Sequence, residues 1–173
     1  LILARQHPDV EEPHVIPPER KILREDAARS LAPCFRHDGV GGRTLLVAFP
    51  PENGIRLGGA GDVTATHRAW LREDTGSFVP TPVEYKGRIY LVRDRGQIEC
   101  VNPADGSTLW SGELPKASAS YYSSPAAADG KLYAAREDGV IFVARIDGKF
   151  EVLSENRMGE PVIASPVPIG NRL

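Results

Sequence analysis

The chain has 173 residues, enough for one domain with a sizeable core, and its 41% apolar and 25% charged content is that of a folded protein rather than a disordered one. A formal net charge of -2 without a Lys/Arg stripe argues against a nucleic-acid partner, and no run approaches the roughly eighteen apolar residues of a membrane span. Two cysteines, Cys34 and Cys100, make neither a disulfide framework nor a zinc site, while 17 Gly and 15 Pro suit many short strands joined by tight turns.

Residues 1–43 carry the weakest pattern and read as an irregular N-terminal segment or inter-blade insertion. A short surface helix is predicted between Pro17 and Leu31, where Ile22, Leu23, Ala27 and Leu31 recur at helical spacing before Pro33. His7, His14 and His37 show no paired ligand spacing, and Cys34 reads as a loop thiol. The chain starts at Leu1 with no basic stretch before an apolar run and stops at Leu173 inside a repeat, so it reads as an internal piece without its own signal peptide.

Residues 44–78 read as a degraded unit with an inner strand at Thr44–Phe49 and an outer strand at His67–Arg72. The Gly-rich connection between them, Pro50 to Thr66, reads as an inserted loop. Asp62, Thr64, Thr66 and His67 form its polar cluster, a possible contact for a ligand or partner, though a connector whose hydroxyls satisfy turn amides is the plainer reading. Gly59-Ala-Gly61 lacks the third glycine and following helix of a dinucleotide fingerprint.

Two clear repeats follow, at 79–122 and 123–163. Asp-Gly pairs at Asp129-Gly130, Asp138-Gly139 and Asp147-Gly148 fall between apolar runs, the pattern of hairpins closed by type I′ turns. Pro82, Gly87, Tyr90 and Gly96 recur forty-three residues later as Pro125, Gly130, Tyr133 and Gly139. Ala164 to Leu173 starts a further copy, with Pro166 in the proline position. Ile89 to Val92 and Ile141 to Ala144 do not alternate apolar with polar, so these strands are expected to be buried on both faces. A period near forty with four strands per unit predicts an all-β fold: a β-propeller fragment of about three four-stranded antiparallel blades in an incomplete ring. A β-sandwich also yields short strands but need not repeat its sequence.

The stretch Cys100-Val-Asn-Pro-Ala-Asp-Gly-Ser-Thr-Leu-Trp110 resembles the tryptophan-docking motif of the pyrrolo-quinoline-quinone-type (PQQ-like) propeller repeats, Ala-x-Asp-x-x-Thr-Gly-x-x-x-Trp. Cys100, Asn102 and Asp105 stand at its Ala, Asp and Thr positions, and Gly106 and Trp110 are retained. The resemblance implies a structural role: a corner between the third and fourth strands of a blade, and a tryptophan packed on the neighbouring blade. Trp70 lies forty residues before Trp110, in step with the repeat, whereas the next repeat has Val143, Arg145, Gly148, Lys149 and Leu153 at the docking positions. Ile55 to Trp70 is also similar to a stretch of BamB-like envelope propellers.

The resemblance covers roughly residues 44–173 and implies a non-catalytic binding or assembly scaffold, periplasmic or in the bacterial cell envelope, with protein or envelope components as partners. No catalytic residue, metal ligand or cofactor is predicted, and no vicinal Cys pair is present. Tyr121-Tyr122 reads as rim packing, and Asp94, Glu137 and Asp138 as solvated turn formers. A PQQ-dependent dehydrogenase, using the quinone and calcium, is one alternative reading. The sensor propeller of a membrane serine/threonine kinase is the other.

Overall fold

Turn chemistry sets the hairpins. Lys86 and Gly87 (φ 51° and 74°) and Asp129 and Gly130 (φ 49° and 71°) have the paired positive dihedrals of a two-residue I′ turn. Asp138-Gly139 departs from that expectation. Only Gly139 is left-handed (φ 85°), and its N–H donates to Arg136 O at 3.0 Å, closing a longer connection like the one Gly96 makes to Arg93 O at 2.8 Å. Asp147-Gly148 likewise has a left-handed glycine alone.

The computed structural model describes residues 34–39, 42–47, 51–56, 63–73, 75–170 and 172–173. Three four-stranded antiparallel sheets follow one another, each a meander in chain order. The first contains β1 (Cys34–Gly39), β2 (Gly42–Val47), β3 (Glu52–Arg56) and, after the four-residue helix α1 (Thr64–His67), β4 (Arg68–Arg72). The second contains β5 (Val83–Tyr85), β6 (Arg88–Val92), β7 (Gln97–Val101) and β8 (Thr108–Glu113). The third contains β9 (Ala126–Ala128), β10 (Lys131–Arg136), β11 (Val140–Arg145) and β12 (Glu151–Arg157). The first strands β1, β5 and β9 lie next to one another, so the sheets fan out from a common inner edge as an open array of blades.

Two strands of the first blade correct the sequence reading. β1 occupies the end of the segment expected to be irregular, so the blade begins at Cys34 and not at residue 44. β3 occupies the start of the expected inserted loop, and β2 ends at Val47, two residues before the predicted strand end. Cys34 therefore stands on a strand. The predicted helix from Pro17 to Leu31 lies outside the described residues.

Burial on both faces is borne out along β6, whereas Val143 on β11 is only half-buried. Along β6, Ile89 and Leu91 pack with Trp70 towards the first blade, and Tyr90 and Val92 pack towards the third. All four are no more than 2% exposed. The larger core lies between blades two and three and includes Ile98, Cys100, Leu114, Tyr121, Leu132 and Phe142.

A register shift interrupts the pairing of third with fourth strand at the same place in every blade: Gly54/Ile55, Cys100/Val101 and Val143/Ala144. An extra residue there bends and twists the outer strand, the shape that fanned sheets need. After β12 the chain returns to its own blade, where Met158 N–H donates to Gly139 O at 2.9 Å, as Leu114 N–H does to Gly96 O at 2.8 Å. Near the C-terminus Ile169 and Arg172 form a bridge across a turn at Gly170 (φ 58°), the first-hairpin geometry expected for the next repeat.

Candidate functional site

The docking corner is built from short-range hydrogen bonds. Asn102 N–H donates to Ser107 O and Gly106 N–H to Asn102 O, both at 2.9 Å. The Asn102 side-chain oxygen accepts from Ala104 N–H at 3.1 Å, and Asp105 Oδ1 accepts from the Ser107 amide at 2.9 Å and hydroxyl at 2.7 Å. Those Ser107 bonds hold the Asp105 carboxyl below the usual carboxylate range. Gly106 must be glycine for two reasons: its backbone is left-handed (φ 74°), and a Cβ there would lie 2.6 Å from the Trp70 ring.

The corner therefore receives the tryptophan of the preceding blade, while its own tryptophan is directed onward. Trp70 Nε1–H donates to Pro103 O at 3.0 Å, and the indole also lies against Gly54, where a Cβ would come within 2.2 Å of the ring. Trp110 meets Phe150 of the third blade (ring centroids 5.6 Å apart) and Tyr90 of its own (5.9 Å). Its Nε1 is buried with no hydrogen-bond partner among the described residues. Where the third blade lacks the docking pattern, Phe150 fills the space over Gly112.

The loop candidates divide. Asp62 lies outside the described residues, and Thr64 opens α1. Thr66 Oγ1 and His67 Nδ1 are 2.7 Å apart at the exposed end of α1, so the imidazole is held by its chain neighbour. Among the described residues, no group of three or more His, Cys, Asp or Glu is placed to hold a metal ion.

Cys100 is fully buried, and burial pushes its thiol up, away from the reactive thiolate. Burial also pushes the Tyr90 and Tyr121 phenols up to about 12. Tyr121 is 1% exposed and its hydroxyl donates to Pro115 O at 2.8 Å, so it anchors the crossover from within the core and not over a rim. The turn carboxylates are also more committed than expected. Glu137 Oε1 accepts from Ser120 N–H at 2.8 Å, and Asp138 grips the Arg136 guanidinium at 2.8 and 2.9 Å.

The densest charge cluster was not among the sequence candidates. Between blades one and two, Arg72 Nη2 donates to Glu99 Oε2 at 2.6 Å, the other Glu99 oxygen is bound by Arg93, and Arg72 Nη1 lies 2.9 Å from Glu52 Oε2 without hydrogen-bond alignment. Between blades two and three the place of Arg93 is taken by Arg136, stacked over Phe142 at 5.1 Å and Tyr121 at 6.0 Å. The recurrence of Arg93 as Arg136 within the aligned repeats was the one visible signal. Their partners lie in separate segments. These groups hold blades together, and nucleophile, base and orienting group do not meet in them.

No protein family and no curated protein matches the chain. Among solved structures it is similar to BamB from Moraxella catarrhalis, with a TM-score of 0.56 and 12% identity over 76% of this chain. The chain spans 40% of that protein's length. A europium-containing methanol dehydrogenase (TM-score 0.46, 16% identity, 72% of this chain and 27% of that one) superposes more loosely. So does a quinohemoprotein alcohol dehydrogenase from Pseudomonas putida HK5 (0.45, 15%, 62% and 18%). At 12% identity the likeness to BamB is one of fold: an open piece of a β-propeller, the architecture expected from the repeats.

Proposed function

We propose that this stack of PQQ-like blades is a non-catalytic scaffold that binds protein or cell-envelope components along the rim formed by its inter-blade crossovers. The observation that supports this reading is a repeated exposed apolar side chain. Val79, Tyr122 and Ile163 each stand three residues before the proline that opens a blade (Pro82, Pro125, Pro166) and are 48%, 38% and 69% exposed. The residue before Tyr122 is buried, so the crossover is anchored by one side chain and presents the next. Exposed apolar side chains repeated at equivalent crossovers of a rigid framework suit a protein surface better than a small polar substrate. An envelope location is the setting that the BamB-like fold suggests.

Two measurements test the reading. A photo-crosslinking amino acid at position 122 is expected to give a discrete adduct with a bacterial envelope fraction, and the same probe at Leu153 on β12 is not. Equal labelling at both positions, or none at 122, contradicts the rim as the contact surface. Addition of pyrrolo-quinoline quinone and calcium is expected to support no dye reduction with alcohols, whereas sustained turnover would overturn the non-catalytic reading.

A further inference from the structure

Glu52 occupies a position that the other blades give to isoleucine. Aligned through the register shift common to all three sheets, Glu52 of β3 corresponds to Ile98 of β7 and Ile141 of β11. Both isoleucines are buried, at 0% and 6% exposure, and Glu52 is as buried as they are, at 0%. The difference extends through the interface. Where Glu52, Arg72, Glu99 and Arg93 stand between blades one and two, Ile98, Gly112, Phe142 and Arg136 stand between blades two and three.

The Glu52 carboxyl is incompletely satisfied. Its Oε2 accepts from the Thr75 hydroxyl at 3.0 Å and lies beside Arg72 Nη1, but Oε1 has no partner among the described residues. Arg72 directs its hydrogen bonds elsewhere, from Nη2 to Glu99 at 2.6 Å and to Thr108 at 3.1 Å. A buried carboxylate with one bare oxygen and a misaligned counter-ion costs more than the neutral acid in the same place.

We propose that Glu52 makes the junction between blades one and two proton-sensitive: the blades hold together with Glu52 protonated, and its ionisation as pH rises loosens them. The groups facing it are Arg72 of β4, Thr75 just beyond, Glu99 of β7 and Arg93 at the end of β6. Burial raises the Glu52 carboxyl above its ordinary value of 4.5, outweighing the opposing pulls of Arg72, Thr75 and Arg93, while Glu99 adds to the rise. With the folded value above the unfolded one, the contribution of this group to stability is complete below about 4.5 and is lost as pH rises through the folded value. Ile98 takes the matching position between blades two and three, where this dependence is not expected.

Hydrogen exchange on the whole chain, corrected for intrinsic amide exchange, reads the opening of each junction. As pH rises from the ordinary glutamate value of 4.5 towards the raised folded value, opening at the β4 amides is expected to become more frequent by up to about tenfold per pH unit, the limit for release of one proton. The β10 and β11 amides are expected to show no such trend, and Glu52→Gln is expected to flatten the β4 response. An unchanged slope in Glu52→Gln, or a flat one in the parent chain, overturns the proposal. A carbon-13 titration of the Glu52 carboxyl needs no variant: a midpoint above those of the exposed glutamates supports the proposal, and one at or below them contradicts it.

Discussion

Replacing Trp70 by alanine is expected to lower the unfolding free energy by about 3–5 kcal/mol, the range for deleting a buried large aromatic side chain. Trp70 is 8% exposed and lies between the glycine backbones of two blades, Gly54 beneath it and Gly106 opposite. Both glycines leave a flat slot that the indole fills, so the alanine variant keeps the slot and loses the wedge. It also strips Pro103 O of its donor. Trp110→Ala is expected to cost less, because Trp110 is only partly buried and its Nε1–H has no partner to lose among the described residues. Denaturant titration of the two variants measures the difference, and equal losses would contradict the separate roles assigned to the two indoles. Hydrogen exchange in Trp70→Ala should rise first in β3 and β4, leaving β10 and β11 protected.

The second large effect is expected at Gly139→Ala. Gly139 has φ 85°, and a Cβ there would lie 2.0 Å from the carbonyl oxygen of Glu160, a backbone atom of the crossover leaving the third blade. That crossover is pinned at both ends, by Met158 N–H to Gly139 O and by Val162 N–H to Glu137 O. It cannot withdraw without breaking those bonds. The left-handed conformation costs an alanine about 1–2 kcal/mol, and the overpacked contact a further 1–3 kcal/mol, so a loss of roughly 3 kcal/mol is expected. Gly148→Ala supplies the control: its φ is 91°, but nothing lies within 4 Å of the added Cβ, so only the conformational part remains. Matching midpoint shifts for the two variants in denaturant, at unchanged slope, would show that the crossover contact contributes nothing.

Legibility in the sequence followed the distance between cause and effect along the chain. Hairpin turns and the spacing from Pro82 to Pro125 are written in neighbouring or regularly recurring residues, and the four-stranded antiparallel sheets they predict are the ones found. β3 is hidden in the sequence because its Asn53-Gly54 has the chemistry of a turn and a Gly-rich stretch follows it. Gly54 instead sits within a strand, where the Trp70 indole requires bare backbone. β1, with Arg36, His37 and Asp38 in six residues, lacks the continuous apolar run that marks the central strands. Of the polar site candidates, Asn102 and Asp105 could be placed because their bonds are local. Glu52, Arg72, Glu99 and Arg93 could not, since they meet only when two blades are stacked.

The docking of one blade's tryptophan on the next blade's corner is the central structural claim, and a nuclear Overhauser measurement tests it most directly. Cross-peaks from the Trp70 indole to the Gly106 α-protons are predicted, together with slow exchange of the Trp70 Nε1 proton held by Pro103 O. Indole cross-peaks confined to the strands of its own blade, with none to residues 103–106, would contradict it.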